Sequence, residues 1–371
     1  MPTRRIGLLA LVLIGASGAL SVFAATREPK AVGAQTGGLS LEAPLPTQVP
    51  PGVTLVIGDP ITQAVAEHEG WLDDLPFKVK FAEITGGPNV TEAFHAKVLD
   101  GGTAMNIPPI HATWVGIPVR MIAVRQKADW QEKPTFQLAI APKANIRSLG
   151  DLRGKRIAYS QGQAQGELVL KILRDQGIST REVTLVETPS TSADAYVNAL
   201  IGGLVDAAPI GAGAPTKRYL DNYAADGARV LAHGQRDDFT MLYVREEVLR
   251  EPGKAAALRQ YAQLWARALA WQNDHPAEWA RLYYESRQGL SPADAAYVVR
   301  SEGARIVPAD WSEAIRLEQD SIGLMAEATG HEPFPAEILF DRRFEPLVAQ
   351  AYANARKTTR LAAASPSGDA R

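Results

Sequence analysis

Short apolar runs alternate with amphipathic stretches along the chain from Val53 onward. An apolar run bounded by turn residues is typical of a strand, and apolar residues at spacings of three and four are typical of a helix. The first unit therefore predicts three strand–helix pairs, followed by strands at 119–126 and 136–142. The pairs are a strand at 53–57 with a helix from Pro60 to about Gly70, a strand at 77–84 with a helix from Asn89 to Leu99, and a strand at 101–106 with a helix near Trp114.

The same alternation continues in a second unit, which begins with a short helix from Ser148 to Leu152. The strands that it predicts cover 155–159, 182–187, 205–210 and 228–232, and the helices cover 164–176, 191–202 and 214–223. A further strand at 240–244 leads into sequence that is mostly helical to about Arg360.

Strands that alternate with helices predict an α/β fold in which parallel sheets are covered on both faces. Two such units, followed by the strand at 240–244 that returns to the first of them, predict two lobes joined by a two-segment hinge, with a helical C-terminus. We place the crossings near 141–145 and near 233–239, so that the first lobe comprises 52–141 with 239–360 and the second comprises 142–238. Ligands of open α/β sheets bind at the carboxyl ends of the strands, which here face a cleft that hinge closure can bury.

The N-terminus has the pattern of an export signal. Two arginines precede an apolar run from Ile6 to Phe23, which ends at the small-residue cleavage pattern Val22-Phe23-Ala24. We expect residues 1–24 to be a signal peptide, although the run has nearly the length of an uncleaved membrane anchor. Residues 25–51 are expected to be a disordered tether and residues 361–371 a disordered tail. The expected location is the periplasm or another extracytoplasmic space.

Composition narrows the function further. The 371 residues can hold two domains, and a formal net charge of −2 without a basic block argues against a nucleic-acid partner. The absence of cysteine excludes disulfides and thiolate metal ligands, and the six histidines lack metal-binding spacing. The chain has neither a GxSxG nucleophile elbow nor a full glycine-rich phosphate motif. We therefore expect no catalytic residues, no metal and no cofactor.

The most informative segment for function is the small-residue loop from Ser160 to Gly166, which lies between a predicted strand and a predicted helix. A helix N-terminus has unpaired backbone N–H groups and a partial positive charge, so it suits a small anionic or polar ligand. Gln161, Gly162 and Gln163 are therefore candidates together with Ser160. Simple capping of the helix by Ser160 or a glutamine is the alternative.

Other candidates lie at the ends of predicted strands of the first lobe. Gly86 and Gly87 let the backbone approach a ligand, or else they only form a tight turn. Asn106 offers a donor and an acceptor to a polar ligand, with a local turn before the prolines as the alternative. Asp59 before Pro60 is the usual pair that caps and begins a helix. If the carboxylate instead faces the cleft, it would repel a sulfonate and favour an amine.

Several motifs, in this order and spacing, resemble the substrate-binding proteins of ABC importers for nitrate, taurine and aliphatic sulfonates. They are Gly86-Gly87-Pro88 before a helix, Pro108-Pro109 after a short strand, Ser148-Leu149-x-Asp151-Leu152-x-Gly154-Lys155-x-Ile157-Ala158, Gly203-x-Val205-Asp206-Ala207, and Asn273-Asp274-His275-Pro276-Ala277-Glu278 at a helix boundary. The resemblance covers roughly 53–360. It implies a type II periplasmic-binding-protein fold that works as a monomer and delivers a solute to a membrane permease and its ATPase.

The resemblance also implies where the ligand binds. By position, the ligand-binding residues that it indicates are Asp59, Pro60, Gly86, Gly87, Asn106, Ile107, Pro108, Ser160, Gln161, Gly162, Gln163, Ala164 and Gly211. The segment 209–215 has small residues where relatives often have a bulky pair, which leaves space for a larger ligand or for one held mainly by backbone.

We expect a binding protein without enzymatic activity that captures a small organic anion, namely an aliphatic sulfonate or a taurine-like or nitrate-like solute. One alternative is a binder of a pyrimidine or amine-bearing solute for import. Another is an enzyme on the same fold, because some relatives form the thiamine pyrimidine and others release sulfinate from aromatic rings. The sulfinate-releasing relatives use a cysteine nucleophile, which this chain lacks.

Overall fold

The structure is a computed structural model that describes residues 38–84, 86–188 and 194–364. The predicted signal peptide at 1–24, the first part of the predicted tether at 25–37, and residues 365–371 lie outside the described residues. The described strands are β1 (Thr54–Gly58), β2 (Lys78–Phe81), β3 (Gly101–Met105), β4 (Val119–Lys127), β5 (Phe136–Ile140), β6 (Arg156–Tyr159), β7 (Thr184–Glu187), β8 (Ala207–Gly211), β9 (Arg229–Leu231), β10 (Thr240–Arg245) and β11 (Arg305–Ile306).

The described α-helices are α1 (Pro60–His68), α2 (Gly87–His95), α3 (Ile107–Trp114), α4 (Ala164–Asp175), α5 (Ala195–Ile201), α6 (Ala214–Tyr223), α7 (Glu246–Leu249), α8 (Pro252–Asp274), α9 (Pro276–Trp279), α10 (Pro292–Glu302), α11 (Ser312–Thr329) and α12 (Glu345–Ala364). The predicted strands and helices of both units are confirmed where they are described, with ends that differ by a few residues. The first three residues of the helix predicted at 191–202 lie outside the described residues. Within the described ranges, no helix combines the length and the apolar composition that crossing a membrane requires.

The first sheet has the strand order β11-β4-β10-β3-β1-β2. β1 pairs in parallel with β2 and β3, whereas β10 lies between β3 and β4 and is antiparallel to both. The second sheet has the order β7-β6-β8-β5-β9, and β5 is antiparallel to its neighbours β8 and β9. Both sheets are therefore mixed. The sequence predicted parallel sheets. This prediction is wrong for β4, β5, β9 and β10, which lie next to the crossings between the sheets and are antiparallel to the strands beside them.

We call β1–β4, β10 and β11 with the helices that cover them the first lobe, and β5–β9 with α4–α6 the second lobe. Because β4 belongs to the first sheet and β5 to the second, the chain first crosses at 128–135 and not at 141–145. The predicted first-lobe boundary at residue 141 is wrong for this reason, since an apolar strand looks the same whichever sheet it joins. The second crossing runs from the end of β9 to the start of β10, over 232–239, and includes the predicted segment.

The two crossings are hydrogen-bonded to each other. The carboxylate of Asp237, in the second crossing, accepts the backbone N–H of Thr135 at 2.9 Å and that of Phe136 at 2.8 Å, where the first crossing enters β5. Lys127, the last residue of β4, donates from Nζ to the carbonyl oxygens of Lys133 at 2.8 Å and Pro134 at 3.1 Å. The path between the lobes is therefore fixed by buried charged side chains.

The main apolar core extends over both lobes. Leu168 and Ile172 of α4 belong to the same buried cluster as Ile322 and Met325 of α11, and α11 packs on α4. A smaller cluster lies inside the second lobe around Tyr219. The lobes are thus in apolar contact along α4 and α11.

The segment 38–51 packs on the first lobe, so the predicted disordered tether is wrong for these residues. Leu41, Leu45 and Val49 are partly buried and pack against the main core. The backbone is also held, since Leu39 N–H donates to the carbonyl of Arg250 at 2.7 Å. At the other end, α12 continues to residue 364, which corrects the predicted start of the tail at residue 361.

Candidate functional site

Helices begin at the carboxyl ends of the strands in both lobes. β1 is followed directly by α1 and β3 by α3, and in the second lobe β6 leads through a short loop into α4. The N-cap residues of α3 and α4 are Asn106 and Gln163, and neither side chain makes a capping hydrogen bond among the described residues. The first N–H groups of both helices therefore have no acceptor from their own N-cap side chain.

Asp59 caps α1, and Pro60 is the first residue of this helix. Oδ1 of Asp59 accepts the backbone N–H of Thr62 at 3.1 Å, and Oδ2 of Asp59 accepts the hydroxyl of Tyr261 at 3.3 Å. The side chain is only 1% exposed. Burial, and next the charge of Asp59, raise the pKa of Tyr261 well above its usual range, so Tyr261 remains a donor to Asp59. The capping interpretation of Asp59 is confirmed, and its contact with a ligand stays a prediction.

The two glycines at the start of α2 are both required by the backbone. Gly86 has φ of +84°, a left-handed conformation that favours glycine. A Cβ at Gly87 would lie 2.1 Å from Cγ of Pro108, so only glycine allows α2 to approach the start of α3 this closely. The close approach is therefore made to a proline of the protein, and a ligand contact at these glycines stays a prediction.

Asn106 connects the two lobes. Its Nδ2 donates to Oε2 of Glu167, on α4, at 3.0 Å and to Oγ of Ser321, on α11, at 3.3 Å, and Ser321 also donates to Glu167. The side chain thus bridges helices instead of capping α3. The next residue, Ile107, is fully buried in the core, and a ligand contact at Ile107 or Pro108 stays a prediction.

Two buried carboxyl groups with unequal surroundings complete this cluster. Glu167 pairs with Nζ of Lys171 at 2.8 Å. Among the described residues, no ion pair forms at Glu318 of α11, and its Oε1 has no hydrogen-bond partner. Burial, and next the charge of Glu167, raise the pKa of Glu318 well above its usual range, whereas Lys171 and a hydrogen bond from Asn106 lower it. Glu318 therefore retains its proton to higher pH than an ordinary glutamate.

The loop before α4 is compact. The carbonyl of Ser160 accepts the N–H of Gln163 at 3.3 Å, and a Cβ at Gly166 would lie 2.1 Å from that same carbonyl oxygen. The N–H of Gln161 points to Oε1 of Glu187 at 3.4 Å. Ala164 is the first residue of α4 and is buried. Several backbone groups of the loop are thus used within the second lobe, and ligand contacts at Ser160, Gln161, Gly162, Gln163 and Ala164 stay predictions.

The same loop contacts the first lobe. A Cβ at Gly162 would lie 3.7 Å from Cδ2 of His111, which is one turn into α3. Burial, and next the electrostatic influence of His331, lower the pKa of His111, which favours a neutral ring where the lobes meet. The starts of α3 and α4 are therefore brought together by two contacts, at His111 and at Asn106.

The remaining predicted residue, Gly211, ends β8 opposite Phe136 of β5. Its carbonyl accepts the hydroxyl of Thr216, on α6, at 2.7 Å. Gly211 and Asp59 thus make their contacts within their own lobes, unlike Asn106 and Gly162. Over the described ranges, no group of three or more histidine, aspartate and glutamate side chains is arranged to hold a metal ion.

Sequence analysis missed the charged residues at the carboxyl end of β4. Arg125 and Lys127 are 4% and 3% exposed, and the guanidinium of Arg125 stacks over the ring of Trp265 at 5.3 Å. The sequence could have indicated these residues, because Arg125 and Lys127 are charged although they belong to a mostly apolar strand. Glu167 carried a similar signal, because it lies between apolar residues on the buried face of a helix.

Comparisons with known proteins agree with this architecture. A family model described as "NMT1/THI5 like" matches residues 61–276, which is more than half of the chain. A curated protein of Escherichia coli (strain K12), named for binding aliphatic sulfonates, is 30% identical over 131 residues. This match covers 35% of the present chain and only 39% of that protein's length.

Two solved structures are similar over most of the chain. The alkanesulfonate-binding protein of Xanthomonas axonopodis pv. citri, bound to MOPS, has a TM-score of 0.64 at 21% identity and covers 80% of this chain and 99% of its own. The periplasmic aliphatic sulphonate-binding protein of Escherichia coli has a TM-score of 0.63 at 19% identity, with the same coverage. At these identities the similarity shows the fold, and the predicted type II periplasmic-binding-protein fold is confirmed.

Proposed function

Because the chain belongs to the NMT1/THI5-like family, we propose that it is the extracytoplasmic solute-binding protein of an ABC importer. Its solute is a small organic anion, namely an aliphatic sulfonate or a taurine-like or nitrate-like compound. It passes this solute to a membrane permease with its ATPase, works as a monomer and catalyses no reaction. The names of the similar proteins support this proposal, since they describe binding of aliphatic sulfonates or alkanesulfonates.

One observation carries the proposal: two helices from different lobes begin next to each other. Asn106, the N-cap of α3, lies 3.0 Å (Nδ2 to Oε2) from Glu167 in the first turn of α4. Helix N-termini attract anions through their free N–H groups and partial positive charge. The charge of Glu167, which would oppose an anion there, is balanced by Lys171 at 2.8 Å.

In the proposed mechanism the backbone N–H groups at the starts of α2, α3 and α4 hold the anionic group. Closing of the lobes expels water, and hydrogen bonds to a charged group are stronger in a water-poor site. We expect Gly162 and His111 to move apart when the lobes open, because a Cβ at Gly162 would lie only 3.7 Å from Cδ2 of His111. The permease then recognises the closed protein.

Isothermal titration calorimetry of the purified protein with alkanesulfonates, taurine and nitrate tests the proposal. We expect binding of at least one of these anions, and an absence of heat with all of them would overturn the anion assignment. The variant Gly162→Val places a side chain against His111, and we expect it to weaken binding by about 10-fold because closure is hindered. Gly323→Val is the matched control, since Gly323 is exposed on α11 and a Cβ there meets nothing within 4 Å.

A binder of a pyrimidine or another amine-bearing solute is the second candidate. The buried carboxylate of Asp59 favours it, because a carboxylate near the strand ends attracts a cationic or N–H donor group. Affinity of such a solute that is unchanged in Asp59→Ala would remove this argument. An enzyme on the same fold would be revealed by sulfite release from an aryl sulfinate, and the absence of cysteine argues against the cysteine-dependent reaction.

A further inference from the structure

Two buried hydrogen-bond donors next to the candidate site have no acceptor. Nε of Arg125 and Nε1 of Trp265 are buried and make no hydrogen bond in the described part of the chain. The two side chains form one stacked pair, with the guanidinium carbon 5.3 Å from the ring centroid. Buried donors without acceptors are costly, and a buried guanidinium without an acceptor for Nε is more so.

The stacked pair lies at the same sheet edge as the predicted ligand loops. In the register of the first sheet, Arg125 is opposite Thr240, and Thr240 is opposite Met105, the residue before Asn106. Trp265 lies one helical turn after Tyr261 on α8, and Tyr261 donates to Asp59. Arg125, Trp265 and Asp59 therefore lie near one another at the carboxyl ends of the strands of the first sheet.

Asp59 supplies the opposite charge. It acts electrostatically on Arg125 without being its hydrogen-bond partner at Nε. Each oxygen of Asp59 accepts one hydrogen bond, and a carboxylate has about four acceptor positions, so it can accept further donors. The region thus has an unsatisfied cationic donor and an acceptor with spare capacity.

The charge balance of this region selects the ligand class. Arg125 experiences the charges of Arg305, Asp59 and Glu302, and Arg305 pairs with Glu302 at 3.1 Å. Burial lowers the pKa of Arg125 to about 10, so its guanidinium is cationic at neutral pH. Among these four groups the two cations and the two carboxylates balance, so a bound monoanion would add a buried charge that none of them compensates. A ligand that carries both a cation and an anion would leave none.

We propose that Arg125 and Trp265 bind the acidic group of the solute and that Asp59 binds its ammonium group, so that the preferred solute is a short aminosulfonate or amino acid. This inference rests on the proposed function, because it specifies the solute of the same cleft. The stacked pair supplies two donors to the acid, and Asp59 distinguishes amine-bearing acids from simple ones.

Calorimetry of wild-type protein with four probes tests this class. Taurine and ethanesulfonate differ only in the amine, and so do β-alanine and propionate. We expect the amine-bearing member of at least one pair to bind about 10-fold tighter or more, as one hydrogen bond to a charged group allows. Binding of the amine-free member that is equal or tighter in both pairs would overturn the inference and leave the proposed function standing. Binding of β-alanine without either sulfonate would support the inference and contradict the sulfonate assignment. No binding of any of the four probes would overturn the inference, whereas the proposed function is decided separately by the titrations with nitrate and longer alkanesulfonates.

Variants locate the subsite. Trp265→Phe keeps a ring under the guanidinium and removes only the Nε1 donor, and we expect about 3-fold to 10-fold weaker binding of taurine. Asp59→Asn keeps an acceptor for the N-cap, and we expect it to abolish the preference for taurine over ethanesulfonate. Arg120→Gln is the control, since Arg120 is at the opposite end of β4 and pairs with Glu246. Unchanged binding in both test variants would overturn the assignment.

Discussion

Asn106 and Glu167 belong to different lobes, and the side-chain amide of the first donates to the carboxylate of the second at 3.0 Å. Both side chains are buried, and Ser321 donates to the same carboxylate. A buried hydrogen bond to a charged group contributes more than a neutral one. This contact therefore stabilises the arrangement in which the starts of α3 and α4 lie side by side.

Replacing Asn106 by alanine removes two donors from the carboxylate cluster. We expect Asn106→Ala to lower the free energy of unfolding by about 1–3 kcal/mol, because Glu167 and Ser321 lose a buried partner. Urea unfolding followed by circular dichroism measures this change. The control is Asn354→Ala, at an exposed position of α12. Equal effects of the two substitutions would contradict the special role of Asn106.

Glu318 makes stability depend on pH. Its raised pKa means that the folded protein keeps a proton which the unfolded chain has released, over the range from the ordinary glutamate pKa up to the folded one. In that range stability falls as pH rises, since the unfolded state binds fewer protons. We expect Glu318→Gln to flatten this decline and to increase stability at pH 8 more than at pH 5.

Thermal unfolding of both proteins at pH 5, 6.5 and 8 gives the comparison for Glu318. Glu332→Gln serves as the control, because this glutamate is exposed. A slope that persists unchanged in Glu318→Gln would show that other groups cause it.

Gly166, in the first turn of α4, has no room for a side chain. A Cβ there would lie 2.1 Å from the carbonyl oxygen of Ser160, and this atom belongs to backbone that cannot rotate away. We expect Gly166→Ala to destabilise the protein by about 1–3 kcal/mol through overpacking. Gly323→Ala, within helix α11, should instead stabilise it by about 0.5–1 kcal/mol, since alanine is the better helix former and nothing lies within 4 Å. Differential scanning calorimetry distinguishes these opposite signs.

Asp237 holds the two crossings together. Asp237→Ala removes the acceptor of two backbone N–H groups, at Thr135 and Phe136, and we expect a loss of about 2 kcal/mol or more in the free energy of unfolding. Hydrogen exchange of these two amides should increase at the same time. Asp226→Ala, at an exposed position, is the control. Unchanged protection of both amides would contradict this role.

Local pattern was sufficient to predict the elements but not their partners. The start of α6 at Ala214 and that of α4 at Ala164 follow from turn residues and periodicity within a few positions. The crossing at 128–135 was missed, because the apolar pattern of β5 is compatible with either sheet. The predicted disorder of residues 38–51 was wrong for a related reason. Their proline and glycine content is typical of a tether, but three of their apolar side chains pack against the core.

The candidate site shows the same division. The loops at Asp59, Asn106 and Gly162 could be found from strand ends and small residues, since these depend on neighbours in sequence. The contact of Asn106 with Glu167 and the stacking of Arg125 on Trp265 join residues that are far apart in the chain. Charges inside apolar segments indicated that Arg125 and Glu167 needed partners, yet nothing local identified them.

The position of β10 between β3 and β4 has a consequence for the order in which the protein is assembled. β3 and β4 are not neighbours in the sheet, so the early strands cannot complete their ladder until residues 240–245 have emerged from the ribosome. The five strands from 136 to 231 pair only among themselves in the described sheets, so the second lobe can form its sheet before the first sheet is complete. Long-range pairing of this kind is slow, and it leaves the N-terminal strand edges unprotected during biosynthesis.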